Sequence, residues 1–416
     1  MFNRLLIKLS RLAKTDLLYL SRGASWSLVD HFFSSAALLV SSVIFANFLP
    51  KETYGSYSFI VSWLTIFSTL AVSGIGEAML RGVARGNEGD LQWAFNYRLR
   101  WGLLASLVSL GFAGYYYFQN NFTFALSFLI VAVFMPLLLA SELVPRFFFA
   151  KELFKETAIF NTISKTFSLV ALLAMLLLTD SLPALMIVYF IPPVIISYLY
   201  LALVVKRYQK NNQVSADMKN FALHLTLMQV VGSVSKRIDQ LLLFSFVGPA
   251  ELATYKFALM PSEQLHTFLA IINRLGISRF ARRPYQEIYP ALGRKMIAYT
   301  AVIAIMVVAS IIIVPYIYPI LFPLYFDSIP YAIILLLPSL LAASALFNTL
   351  LFAKRELKYL YLLKIWTHGL RFLAFFLLIS NFGVGGAVAA EVTVAVIVAL
   401  TVFGLFFKER NKWREF

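Results

Sequence analysis

Apolar residues run along this chain in stretches long enough to cross a bilayer, and the stretches recur from one end to the other. A spanning helix takes about 20 apolar residues. Twelve stretches meet that length: 24–48, 54–78, 93–117, 122–145, 158–179, 183–205, 220–247, 252–273, 296–319, 328–352, 359–380 and 384–407. The seventh and eighth carry the most polar residues. Ahead of the first span, Arg4, Lys8, Arg11 and Lys14 alternate with Leu5, Leu9 and Leu12, which predicts a basic amphipathic helix lying in the membrane interface. No uninterrupted apolar core follows those charges before the first long span, so the segment does not read as a cleavable signal peptide. The pattern predicts an all-α polytopic membrane protein. It divides into an interfacial helix (1–21), a six-helix bundle (22–205), a cytoplasmic linker (206–219), a second six-helix bundle (220–407) and a basic cytoplasmic tail (408–416).

The two halves repeat. Leu49-Pro50-Lys51-Glu52-Thr53-Tyr54-Gly55-Ser56-Tyr57 after the first span matches Val247-Gly248-Pro249-Ala250-Glu251-Leu252-Ala253-Thr254-Tyr255 after the seventh. Phe149-Ala150-Lys151-Glu152 after the fourth matches Phe352-Ala353-Lys354-Arg355-Glu356 after the tenth. Six spans per half is an even number, so both halves enter the membrane from the same side. Such repeats are related by a pseudo-twofold along the membrane normal, with the substrate path between them.

Basic residues set the expected orientation. Of 36 Lys and Arg, 29 fall on the side of the termini and the linker, one (Lys51) on the other, and six within spans. The positive-inside rule then places both termini in the cytoplasm and the chain in the cytoplasmic (inner) membrane. The outer connections are short, the longest running from about Tyr316 to Asp327, which leaves no outer domain for an active site.

Composition agrees: 60% of residues are hydrophobic and 13% charged, against about 45–50% and about 25% in soluble domains. The net charge of +16 lies between spans, where it suits anionic lipid headgroups rather than nucleic acid. The absence of cysteine excludes thiol catalysis, Cys-zinc sites and iron–sulfur clusters. No Walker loop, HExxH or GxSxG elbow is present, so neither an enzyme nor a bound cofactor or metal is expected.

Charges inside the spans are costly, at least ~2.5–3.5 kcal/mol each at mid-bilayer, and need a partner or a wet cavity. The six cations are Lys165, Lys236, Arg237, Lys256, Lys364 and Arg371. Lys364, His368 and Arg371 are spaced four and three apart and share one helix face. Arg371 lies roughly 18 Å from the helix end, near the midplane, and Asp30 and Lys165 roughly 10–12 Å in. Arginine suits bidentate capture of phosphate and lysine point-charge capture. These residues therefore form the expected anion path, with Lys236 and Lys256 secondary. Asp30, His31, Asp239, His368 and Glu391 are the candidates for coupling or gating, Asp30 beside His31 being able to titrate near neutrality. Internal pairing is the alternative, for example Asp239 with Lys256 or Arg371 with Glu391. Glu142 and Arg146, four apart, read as a structural pair. Pro136, Pro192, Pro193, Pro261 and Pro338 fall within spans and suggest kinks.

The chain resembles the polysaccharide flippases, the O-antigen and exopolysaccharide transporters of the multidrug/oligosaccharidyl-lipid/polysaccharide exporter superfamily. The resemblance rests on Phe48–Tyr57, on Gly74-Ile75-Gly76 with Arg81 and Ala84, on Arg237–Leu243 running into Val247-Gly248-Pro249, and on Gly383–Ala390. It implies alternating access through a cationic central cavity that moves a polyprenyl-pyrophosphate-linked oligosaccharide to the outer leaflet for surface polysaccharide biosynthesis. The implied partners are that lipid-linked substrate, membrane lipids, and a glycan polymerase with other assembly proteins. Lipid II flippases usually carry fourteen helices, two more than this chain accommodates. A cation-coupled extruder of drugs or small amphiphiles on the same fold, or a non-transporting scaffold of a glycan-assembly complex, are the alternatives.

Overall fold

The polar interruptions between apolar runs become helix ends. The computed structural model describes residues 17–282, 285–344, 346–347, 350 and 357–408, and every regular element among them is helical. The first half holds α1 (Leu17–Phe48), α2 (Lys51–Leu70), α3 (Ile75–Ala84), α4 (Asp90–Phe118), α5 (Phe122–Ser141), α6 (Leu143–Ala150), α7 (Phe154–Leu176) and α8 (Leu182–Leu203). A π-helical turn, Val204–Tyr208, leads into the linker. The second half holds α9 (Met218–Ser235), α10 (Ile238–Phe246), α11 (Pro249–Arg282), α12 (Tyr285–Leu321), α13 (Ile329–Leu336) and α14 (Leu357–Lys408). Two 3-10 segments, Pro323–Ser328 and Leu337–Ser344, flank α13. The expected interfacial helix falls mostly on residues 1–16, outside the described residues, as do Phe352–Glu356 of the second repeat and the tail beyond Lys408.

The chain is an all-α, multi-pass membrane protein. Among the described residues, seven helical stretches are long and apolar enough to cross a membrane, and the α2–α3 pair, bent by 57°, makes an eighth. The longest stretch, Tyr361–Leu405, has 45 residues. At 1.5 Å per residue that is about 67 Å, more than twice the ~30 Å hydrocarbon thickness. It is divided at Gly383, whose φ of 57° and ψ of −130° are not helical. The remaining expected spans, α4, α9–α10 and α11, are those richest in polar residues, and the fold accommodates all twelve.

Four of the five prolines within the expected spans leave their helices unbroken. α5 runs through Pro136, α8 through Pro192 and Pro193, and α11 through Pro261. Pro338 alone of the five sits in a 3-10 segment. The interruptions fall instead at residues 71–74, at Glu142, at Lys236–Arg237 and at Gly383.

The chain forms two compact units. One holds Met1–Phe48 and Trp63–Ser233, the other Leu49–Ser62 and Val234–Phe416. These are not the two halves of the sequence, because the first turns of α2 group with the later residues and most of α9 with the earlier ones.

In the first unit α4 packs on α5, α5 on α8, α8 on α7, and α7 on α1. α4 buries a stripe of small residues, Ala94, Gly102, Ala105, Ser109 and Ala113, which lets the partner helix approach closely. A cluster of Ile75, Met79, Leu91, Phe147, Phe148 and Met218 with their neighbours fills the junction of α3, α4, α6 and α9. The linker is tied down beside it. Glu88 Oε1 accepts from Lys151 Nζ at 2.6 Å, and its Oε2 accepts from the backbone N–H of Lys210. Asp90 accepts from both the backbone N–H and the hydroxyl of Ser215, each at 2.7 Å. Asn211 donates to the Gly86 carbonyl at 2.9 Å.

In the second unit α10 packs against α14, and α11 and α12 against α13. Its opposite end carries an aromatic cluster in which Phe257 stacks on Tyr325 at 3.7 Å and Tyr54 lies 5.2 Å from Phe257. Lys51 pairs there with Asp327 at 3.0 Å.

Candidate functional site

The seventh expected span fails as a helix at two consecutive cations. α9 ends at Ser235, Lys236 and Arg237 form a turn, and α10 restarts at Ile238. Both residues face a cavity of about 140 Å³ within the second unit. Asp239 and Gln240 from α10, Ser262, Glu263 and His266 from α11, and Arg371 and Glu391 from the two sides of Gly383 complete its polar lining. Leu259, Leu335 and Pro338 supply apolar wall.

Five of the eleven residues singled out from the sequence converge here: Lys236, Arg237, Asp239, Arg371 and Glu391. Their states differ. Arg371 Nη1 meets Glu391 Oε2 at 3.0 Å, its Nε donates to the Ser235 carbonyl at 3.4 Å, and its guanidinium lies 4.9 Å from the Phe375 ring centre. Asp239 is 3% exposed, and its Oδ2 accepts from the Tyr255 hydroxyl at 3.1 Å. Its Oδ1 is buried without a partner. Lys236 and Arg237 make no ion pair among the described residues. They are the cations at hand for a ligand.

Of the two internal pairs considered from the sequence, Arg371–Glu391 is present. Lys256 instead approaches Glu263, at 4.0 Å, while Asp239 takes Tyr255. The cavity sets three cationic residues against three carboxylates, Asp239, Glu263 and Glu391, so its formal charge is balanced apart from His266. Glu263 and His266, charges within the eighth expected span, and Gln240, part of the Arg237–Leu243 stretch, were not among the residues singled out, and Ser262 carried no signal in the sequence. Glu263 and His266, three apart on α11, carried the signal that could have found them. Gln240 is held from the first turns of α2, where Ser62 Oγ donates to its Oε1 at 2.6 Å.

Lys364, His368 and Arg371 differ in their surroundings. Lys364 is exposed, His368 is half-buried with Nδ1 unpartnered, and Arg371 alone lines the cavity.

Asp30, His31 and Lys165 lie in the first unit, on α1 and α7. Asn161 donates to Asp30 Oδ2 at 3.0 Å, and Lys165 bonds the Ser34 hydroxyl. Asp30 Oδ1 is buried without a partner. His31 is half-buried beside them.

Two sequence assignments need correction in the first unit. Arg98, counted with the connection charges, is 3% exposed and donates through Nη2 to Glu142 at 2.8 Å. Glu142 therefore does not serve Arg146, which donates to Glu77 at 2.8 Å. The enclosed Arg98 guanidinium takes the Glu142 carboxylate, and Arg146 turns instead to Glu77 on α3.

The sequence pattern of the family described as "Polysaccharide biosynthesis protein" matches residues 20–277, more than half of the chain. No curated protein sequence matches it. Among solved structures, the inward-facing conformation of a multidrug resistance MATE family transporter of the MOP superfamily is similar, with a TM-score of 0.70 at 11% identity over 91% of this chain and 95% of that one. The outward-facing conformation of such a transporter gives 0.62 at 12% identity over 95% and 96%. A MOP superfamily transporter from Pyrococcus furiosus, described for the reverse polarity of its binding pocket and the different function this suggests, gives 0.61 at 12% identity over 96% of each chain. The chain belongs to the polysaccharide biosynthesis protein family and is a multi-pass membrane protein whose fold is that of MOP superfamily transporters.

Proposed function

We propose that this protein flips a polyprenyl-pyrophosphate-linked oligosaccharide from the cytoplasmic to the outer leaflet by alternating access, in the cytoplasmic membrane with both termini inside, for surface polysaccharide (O-antigen-type) biosynthesis. The observation that carries the reading is the break in the seventh span, which presents Lys236 and Arg237, in no ion pair among the described residues, to a polar cavity. The pyrophosphate of such a substrate, esterified at both ends, is a compact dianion. An ammonium and a guanidinium in sequence match it, one as a point charge and one as a planar fork. Gln240, Ser262 and His266 offer the hydroxyl-matching groups a glycan needs. Lys165 with Asp30 and His31 is a second polar set for the same substrate or for coupling. Membrane lipids hold the polyprenyl tail, and a glycan polymerase with other assembly proteins would receive the product.

A second reading has its own support. Asp239, Glu263 and Glu391 line the same cavity, and carboxylates suit cation-coupled export of a small cationic amphiphile. Its fold relatives include multidrug resistance transporters.

The test is made in cells lacking the gene and any redundant flippase. Lipid-linked oligosaccharide is quantified by leaflet, with wild type or Lys236→Ala/Arg237→Ala restored. Accumulation on the cytoplasmic leaflet, relieved by wild type and not by the inserted double variant, supports flipping. No accumulation, with altered drug tolerance, favours the extruder. Full rescue by the double variant removes the anion-capture role.

A further inference from the structure

Arg371 is the cation deepest in its span, and its geometry is that of a brace. α9 ends at Ser235, so the Ser235 carbonyl lacks the partner that a continuing helix would supply. Arg371 Nε donates to it at 3.4 Å. The same guanidinium reaches across the Gly383 break to Glu391, with Nη1 3.2 Å from Oε1 and 3.0 Å from Oε2. The Phe375 ring, one turn along, covers it at 4.9 Å. One side chain thus joins three backbone segments: the end of α9 and the portions of α14 before and after its break. The residues that immediately follow Ser235 are Lys236 and Arg237, the two unpaired cations of the cavity.

We infer that Arg371 is a positioning residue, which with Glu391 as its counter-charge fixes the Ser235–Arg237 turn so that Lys236 and Arg237 face the ligand, rather than a group that captures the anion itself. This rests on the anion-binding reading above, and it makes an unusual demand of Glu391. If Arg371 captured the anion, Glu391 would compete with the ligand, and removing its charge would strengthen binding. If Arg371 positions the turn, removing Glu391 releases the brace and weakens binding.

The experiment uses the full chain in nanodiscs and inorganic pyrophosphate as the probe, titrated calorimetrically at several salt concentrations. Glu391→Gln and Arg371→Gln are each expected to weaken binding by about tenfold, as when one partner of a half-buried pair is removed. The slope of affinity against salt should stay that of wild type, because the number of contacting charges is unchanged. The exchanged pair Arg371→Glu/Glu391→Arg should stay as weak as Arg371→Gln, because a glutamate at 371 has no N–H to give the Ser235 carbonyl. Tighter binding in Glu391→Gln, a shallower salt slope in Arg371→Gln, or an exchanged pair that binds as wild type does would overturn the inference.

A second measurement needs no ligand. The chain has no cysteine, so Ser262→Cys introduces a single thiol into the cavity wall. Its labelling rate should change to the same extent in Arg371→Gln and Glu391→Gln and should not return to the parental rate in the exchanged pair, which lacks a donor for the Ser235 carbonyl. An unchanged rate in both single variants would overturn the brace. Should wild type bind no pyrophosphate while the labelling result holds, the anion reading fails and the brace stands.

Discussion

Gly55 lies against the carbonyl of Pro249: a Cβ at Gly55 would sit 1.8 Å from the Pro249 oxygen. The two residues belong to the two stretches that resemble one another in sequence, 49–57 and 247–255. In the second unit those stretches pack directly on each other, with Phe59 stacked on Phe244 at 3.9 Å just beyond. The repeat therefore marks a contact as well as a duplication.

Gly55→Ala forces backbone apart from backbone. The cost of such overpacking is about 1–3 kcal/mol. Thermal unfolding in detergent should show a lowered midpoint for Gly55→Ala. Gly111→Ala, where nothing lies within 4 Å of the added carbon, should leave it in place. Equal midpoints for the two variants would contradict the close approach.

Arg98 makes a different kind of demand. Its charge is enclosed, and Glu142, the carboxylate it meets, is 44% exposed. Glu142→Gln should cost about 2–3 kcal/mol, less than a fully enclosed pair because water screens the Glu142 end. Replacing both, Arg98→Met with Glu142→Leu, should recover most of that loss. Chemical denaturation monitored by the fluorescence of the chain's tryptophans would measure both. A double variant no better than Glu142→Gln would count against the pairing.

The linker attachment should respond to acid. Burial pushes the Glu88 carboxyl up, but the Lys151 ammonium and the N–H groups of Lys210 and Asn211 outweigh it and hold it below its ordinary value of 4.5. A depressed acid stabilises the folded state above its unfolded value, and that contribution is lost as pH falls below 4.5 through the folded value. Asp90 is shifted the other way, burial outweighing its two bonds from Ser215, so its contribution opposes the loss on acidification. The difference between wild type and Glu88→Gln isolates Glu88. Amide hydrogen exchange over 209–215 should quicken in wild type, relative to the variant, as pH falls from 5 toward 3. Parallel behaviour across that range would show that Glu88 does not hold the linker.

Gly383 turns the long α14 with a positive φ of 57°. A side chain there is strained, at about 1–3 kcal/mol. Gly383→Ala should reduce the yield of protease-resistant, inserted protein, and Gly404→Ala, open in its surroundings, should not. Matching yields would argue against the turn.

Much of this was legible along the chain. Span count and helix class follow from run length, because hydrocarbon tolerates little else. The break at residues 71–74 was not, because no proline marks it; the one at Glu142 had a signal in Pro145, whose missing N–H leaves the Ser141 carbonyl without its helical partner. Arg98 falls in register with the small-residue stripe of α4, at Ala94, Arg98 and Gly102, yet proximity to the connection hid it. The unusual charges were visible as charges. Which of them pair was legible in part: the sequence offered Arg371 with Glu391, which forms, and Asp239 with Lys256, which does not, since pairing depends on helix rotation and rotation is set by packing rather than by spacing. Arg371 and Glu391 are twenty residues apart, and only the turn at Gly383 brings them together.

The unequal division of the chain between its two units bears on how the protein is made. Synthesis proceeds from the N-terminus. Leu49–Ser62 emerges early but has its packing partners only after Val234. The first unit in turn lacks most of α9 until the linker has passed. Neither unit can close while the ribosome is still in the first half of the message. Expressing residues 1–205 and 220–416 as separate polypeptides would strand Leu49–Ser62 on one and residues 220–233 on the other, so the two fragments would need each other to fold.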